Sequence, residues 1–159
     1  KEDPVNGWYK YTNNGEWKGA TSGGYISCPT CWKNPHYFLK LSRPTTLFIS
    51  LTQHKEEDGG TRDTICAGFS FLSKQNNLAS GTNGWEQPYG LVSYGFDHVV
   101  SKEFIVDDAS KVYTLLVASG LAGQEAGYTL DVFSKHPLEE TDGQALRLMP
   151  TETVEAMYL

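Results

Sequence analysis

Gly15-Glu-Trp-Lys-Gly-Ala-Thr-Ser-Gly-Gly24, followed by Asn34-Pro-His-Tyr-Phe-Leu-Lys-Leu41, decides how this chain is read. Trp17 begins a polar, glycine-punctuated segment that breaks any helical period. Gly23-Gly24 permits a positive φ or a close backbone approach. Asn34-Pro35 then opens a strand, because proline lacks the N–H that an inner strand position needs.

Working outward, Trp8 to Thr12 alternates aromatic and polar residues and predicts a strand. Asn13-Asn14-Gly15 carries turn chemistry, so Trp17 is expected to open the next extended segment. Residues 37–42 and 46–53 form two strands joined by a turn at Ser42-Arg43-Pro44. Leu47, Ile49 and Leu51 share one face at period two, and Ile65, Ala67, Phe69 and Phe71 repeat that pattern over 64–72. The polar stretch from Ser73 to Tyr89 predicts a long loop. Residues 98–106 and 111–119 follow as strands. The run Val112-Tyr-Thr-Leu-Leu-Val-Ala118 is nearly apolar throughout, which predicts a central strand covered on both faces. Residues 127–134 close the set, with Tyr128, Leu130 and Val132 facing one way. No segment before residue 138 keeps a 3.6-residue period. The fold class is therefore all-β, an antiparallel sandwich of about eight strands over residues 1–137. Residues 138–159 form a C-terminal linker or an additional strand at Leu146-Arg-Leu-Met149.

Composition excludes several functions. The 159 residues can bury a real core, with 39% hydrophobic and 13% aromatic content. A net charge of −6 argues against a nucleic-acid partner, which needs a basic patch to neutralise phosphates. Lysines and arginines are dispersed singly, so there is no polybasic membrane anchor. Three cysteines cannot all pair, which points away from a secreted disulfide framework and toward a reducing cytoplasmic setting. The opening Lys1-Glu-Asp-Pro4 has neither an initiator Met nor a signal pattern, and suggests a piece of a larger polypeptide.

The Trp17-Lys-Gly-Ala-Thr-Ser-Gly23-Gly24 element (W-x-G-x-T-S-G-G), followed by N-P-x-[YF] at Asn34 and Pro35, resembles domain III of the calpain cysteine proteases. Phe48-Ile-Ser-Leu-Thr-Gln53, Ala67-Gly-Phe-Ser-Phe71 and Gly127-Tyr-Thr-Leu-Asp-Val-Phe133 follow in the same order. The resemblance covers roughly residues 8 to 135. It implies a sandwich related to calcium- and lipid-binding domains, with no catalysis of its own. It implies packing on the protease core of the same polypeptide, with membrane phospholipid, calcium or a protein as further partners. Conventional calpains carry a long acidic insertion where this chain has Ser42-Arg43-Pro44-Thr45, and a basic segment where it has Glu56-Glu57-Asp58. An atypical calpain without that electrostatic latch is the better match.

The remaining candidates are weighed on their own chemistry. Glu56, Glu57, Asp58 and Asp63 form the densest acidic loop, and Asp97 and Glu125 are expected at the same end of the sandwich. Calcium takes six to eight oxygens, and three consecutive acids on one loop do not converge on an ion. Asp107-Asp108 is expected at the opposite end. Any calcium site is therefore weak, and no other metal or cofactor is required. Trp85, in Gly81-Thr-Asn-Gly-Trp-Glu-Gln-Pro88, is the aromatic expected to contact a membrane or a partner. Cys28-Pro-Thr-Cys31 lacks the second ligand pair of a zinc site and the following helix of a redox motif. His36, His54, His98 and His136 show no pattern with a cysteine nucleophile and an orienting Asn or Asp. The rival function is a free-standing carbohydrate- or protein-binding adhesion sandwich.

Overall fold

The computed structural model describes residues 6–24, 31–54, 67–74, 85–86, 93–95, 99–119, 123, 125–150 and 152–154. The strands are β1 (Tyr9–Trp17), β2 (His36–Lys40), β3 (Thr45–Gln53), β4 (Ala67–Lys74), β5 (Trp85–Glu86), β6 (Ser93–Gly95), β7 (Val99–Val106), β8 (Val112–Ser119), β9 (Ala126–Ser134) and β10 (Arg147–Leu148). They form two antiparallel sheets. One has the order β1-β9-β3-β7; the other has the order β10-β2-β8-β4-β5, with β6 also pairing β4. The architecture is the antiparallel all-β sandwich that the alternating pattern predicts.

The core follows from that alternation. Leu47, Ile49 and Leu51 on β3 and Tyr128, Leu130 and Val132 on β9 are buried, and the residues between them are half-buried. Facing them from the second sheet are Tyr37 and Leu39 of β2, Ala67, Phe69 and Phe71 of β4, and Tyr113, Leu115 and Val117 of β8. Phe71 stacks on Tyr113 with ring centroids 4.9 Å apart, and Phe104 of β7 meets Phe71 at 5.1 Å. Strand β8 lies between β2 and β4 and is buried from Tyr113 to Ser119, so its apolar run is covered on both faces.

The N-terminal strand corrects one expectation. Asn13-Asn14-Gly15 is not a turn; β1 runs unbroken through it, paired with β9 from Tyr9↔Ser134 to Trp17↔Ala126. The turn-forming side chains find partners across the sheet. Thr129 Oγ1 donates to Asn14 Oδ1 at 2.7 Å, and Asn13 Nδ2 donates to the Leu146 carbonyl at 3.3 Å. Gly15 lies beneath the Tyr128 ring. A Cβ there would overlap the phenol oxygen and stand 2.5 Å from Cζ. The glycine serves close approach, not turn geometry.

The stretch expected as a loop from Ser73 to Tyr89 carries strand at Ser73 and Lys74, the end of β4, and at Trp85–Glu86, β5, which pair as Ser73↔Glu86 and Lys74↔Trp85. Beyond residue 137 the chain folds back over the open side of the sandwich. Leu138, Ala145, Leu146, Met149 and Val154 are buried, and β10 pairs Arg147↔Phe38 and Leu148↔Tyr37 with β2. No helix among the described residues is long and apolar enough to cross a membrane.

Candidate functional site

Trp17, Gly23, Gly24, Asn34 and Pro35 converge on a buried clasp that joins the two sheets. Trp17 ends β1 fully enclosed; its indole Nε1–H donates to the Val117 carbonyl at 3.1 Å, and its ring lies 4.8 Å from that of Tyr128. It thereby ties an edge strand of one sheet to the central strand of the other. The chain then makes a 3-10 turn at Gly19–Thr21, where Gly19 takes φ +52°, and Gly24 takes φ +89°. Both values favour glycine.

The Asn34 amide grips the glycine pair from both sides. Its Oδ1 accepts from Gly23 N–H at 2.9 Å, and its Nδ2 donates to the Gly24 carbonyl at 2.7 Å. Ser119, the last residue of β8, holds the same loop: its Oγ lies 2.9 Å from Ser22 Oγ and accepts from Gly24 N–H at 3.3 Å. The Pro35 carbonyl accepts from Val117 N–H at 3.0 Å, and the His36 carbonyl accepts from Met149 N–H at 2.8 Å. Four chain segments meet here through hydrogen bonds that each contribute about 1 kcal/mol net. Leaving a buried partner unsatisfied costs about 1–3 kcal/mol.

Three titratable groups border the clasp. His36 is fully enclosed, and its Nδ1–H donates to the Asn34 carbonyl at 2.7 Å. Burial lowers its pKa to about 4, opposed by that hydrogen bond, so the ring is neutral at ordinary pH. The Tyr37 and Tyr128 hydroxyls lie 2.8 Å apart in the core, and burial raises both phenols. These groups are sealed within the fold and are structural.

The loop-borne candidates stand differently. Glu56, Glu57, Asp58, Asp63 and Asp97 lie outside the described residues, as do Cys28, Cys66 and His98. Trp85 is described only by its strand pairing with Lys74. At the end of β3, His54 N–H donates to the Gly127 carbonyl at 2.8 Å, which sets Glu125 beside the entry to the acidic loop. At the other end of β3, Thr45 pairs with Val106, so Asp107 and Asp108 follow there. Asp108 Oδ1 accepts from the Ser110 hydroxyl and from Ser110 N–H at 2.9 Å. Those bonds lower its pKa and make it a turn residue. Among the described residues, no three His, Cys, Asp or Glu side chains converge on a metal position.

One feature escapes sequence reasoning. Two clefts lie side by side along β1. The larger, of about 680 Å³, is lined by Tyr9 to Asn13 and by the returning tail at Glu140 and Gly143 to Leu146. The smaller, of about 270 Å³, continues past Asn14 to Glu16 toward Trp32, Lys33 and Val154. They exist because β1 and β10 are edges of opposite sheets, brought together by residues more than 130 positions apart.

Comparison with known proteins bears on the whole sandwich. The family model described as calpain large subunit, domain III, matches residues 13–133. The calpain-type cysteine protease ADL1 of Oryza sativa subsp. japonica is 26% identical over 146 residues, covering 82% of this chain and 7% of the relative. The calpain-type cysteine protease DEK1 of Zea mays is 28% identical over 142 residues, covering 79% of this chain and again 7% of the relative. The chain thus spans a small fraction of these relatives' length. Among solved structures, a Yersinia pseudotuberculosis-derived mitogen aligns with a TM-score of 0.44 and 9% identity, over 87% of this chain and 93% of that one.

Proposed function

The chain belongs to the calpain large subunit domain III family, and from that premise we propose that it is a non-catalytic regulatory module packed on the catalytic core of a calpain-type cysteine protease. The observation that carries this reading is the clasp. The residues that mark the family spend their polar groups inside the sandwich, holding Gly23, Gly24 and Val117 in place. Marker residues turned inward make a scaffold, and a scaffold acts through the loops it presents.

The reading includes a cytoplasmic setting, since three cysteines leave one unpaired. It includes weak calcium binding at the acidic loop of Glu56, Glu57, Asp58 and Asp63, with Asp97 alongside. Any membrane or partner contact runs through Trp85. The family match favours this module over a free-standing adhesion sandwich.

Co-purification of this chain with the separately produced protease core of its parent tests the proposal. The expected result is a stoichiometric complex, with no casein or fluorogenic-peptide turnover by this chain alone. Turnover by the chain itself, abolished on substituting Cys28, Cys31 or Cys66, would overturn it, as would failure of the folded chain to bind the core.

A further inference from the structure

Strand β1 has one hydrogen-bonded neighbour, β9, among the described residues, and its other edge opens onto the two clefts. A nine-residue strand paired on one side only among the described residues is a template for another strand. What would fit it is written in its own sequence. Side chains alternate along β1: Lys10, Thr12, Asn14 and Glu16 are exposed on the outer face, while Tyr9, Tyr11, Asn13 and Gly15 are half-buried and Trp17 is buried.

A strand added in register must keep outer residues beside outer residues, so it moves in steps of two. With a second β1 laid antiparallel and centred on Asn13, every one of the nine positions is paired. Lys10 then lies opposite the partner copy's Glu16, and Glu16 opposite its Lys10. Thr12 lies opposite Asn14, and Asn13 sits on the two-fold axis. On the inner face Tyr11 lies opposite Gly15, Tyr9 lies opposite Trp17, and the space above Gly15 is filled by the same chain's Tyr128 ring. A step of two in one direction sets Lys10 opposite Asn14. A step in the other sets Lys10 opposite Lys18, with like charges adjacent. One register therefore combines full overlap with two opposite-charge pairs and no like-charge pair.

We propose that β1 is a self-complementary edge through which two copies of this chain associate, antiparallel and centred on Asn13. The contact is isologous, each copy contributing the same strand, so it closes at the dimer. The four-stranded sheets of the two copies become one continuous sheet. The proposal goes beyond the module's place on a protease core and is tested without that core.

The test is sedimentation velocity on the chain from about 1 μM to about 1 mM, the range in which a weak specific contact is populated. Wild type should move from monomer to twice the monomer mass as concentration rises. Lys10→Glu and Glu16→Lys each replace two attractive pairs by two repulsive ones and should weaken association by about tenfold or more. The double variant K10E/E16K restores opposite charges at the same positions and should recover the dimer. Thermal melts of each variant confirm folding, which the exposure of both side chains leaves intact. A monomer throughout the range refutes the proposal. So does a dimer indifferent to the single reversals, or loss in the single variants without recovery in the double.

Discussion

Replacing Gly15 by alanine tests the unexpected continuity of β1 directly. At a permissive position the change would stabilise the protein by about 0.4–1 kcal/mol, because alanine has fewer unfolded conformations to lose. Here the new methyl would stand 2.5 Å from Tyr128 Cζ and 3.1 Å from Cε1. Tyr128 has nowhere to retreat: it is fully enclosed, set against Trp17, and bonded to the Tyr37 hydroxyl at 2.8 Å. Forcing the ring aside costs about 1–3 kcal/mol in strained packing. Breaking the phenol pair in the core adds about 1–3 kcal/mol. After the unfolded-state gain, the net loss should be about 2–4 kcal/mol. Urea melts followed by tryptophan fluorescence would read it. In a chain of this length the same loss lowers Tm by roughly 5–15 °C. Because both changes act on one ring, Gly15→Ala in a Tyr128→Phe background should cost less than the sum of the single changes. A change within about 0.5 kcal/mol of wild type, or a gain, would show that Gly15 does not lie under Tyr128.

Trp17→Ala removes a fully enclosed indole and its bond to Val117, and should cost about 3–5 kcal/mol in denaturant melts; a loss under about 1 kcal/mol would contradict its place in the clasp. For His36, the folded pKa of about 4 lies below the unfolded value of 6.5, so between those values the unfolded chain binds a proton that the folded chain does not. Stability should be full above pH 6.5 and fall by about 3 kcal/mol in total as pH drops to 4, and the part of the slope due to this residue should vanish in His36→Asn. Calcium titration calorimetry should give a dissociation constant of about 10⁻⁴ M or weaker, and liposome flotation should depend on Trp85 more than on calcium. Micromolar affinity lost on substituting Glu57 and Asp58 would overturn that expectation.

The strands that the sequence displays openly are those with one face buried and one face half-buried. Strands β3 and β9 alternate through their whole length, and the period alone orients Leu47, Ile49, Leu51, Tyr128, Leu130 and Val132. Strand β8 is legible for the opposite reason: burial on both faces removes the alternation and leaves an apolar run. Strand β1 is opaque because its middle uses turn-forming residues for another purpose. Asn13 reaches the Leu146 carbonyl, Asn14 accepts from Thr129, and Gly15 makes room for Tyr128. Each of those partners lies over a hundred positions away, beyond the reach of any local rule.

The clasp was legible as a motif but not as a mechanism. Gly23, Gly24, Asn34 and Pro35 stand out in the sequence, yet nothing local says that one asparagine amide serves both glycines. Nor does spacing reveal that Ser119 closes the loop from the far end of β8. That closure bears on how such a module works. Ser22, Gly24, Asn34 and Ser119 are bonded to one another, and Trp17 crosses the core beside them. A disturbance at the clasp is therefore shared between both sheets and is not absorbed by a loop. The free edge of β1 begins where the clasp ends, at Trp17. Trp17 thus fixes the C-terminal end of β1 and, through the β9 ladder, the positions of Lys10 and Glu16 along it. Loosening Trp17 should blur the register of that edge as well as lower stability. A Trp17→Phe variant, which keeps most of the buried ring but loses the indole bond to Val117, separates the two effects. If it melts within about 1.5 kcal/mol of wild type yet self-associates more weakly, the clasp sets the edge; unchanged association would confine its role to stability.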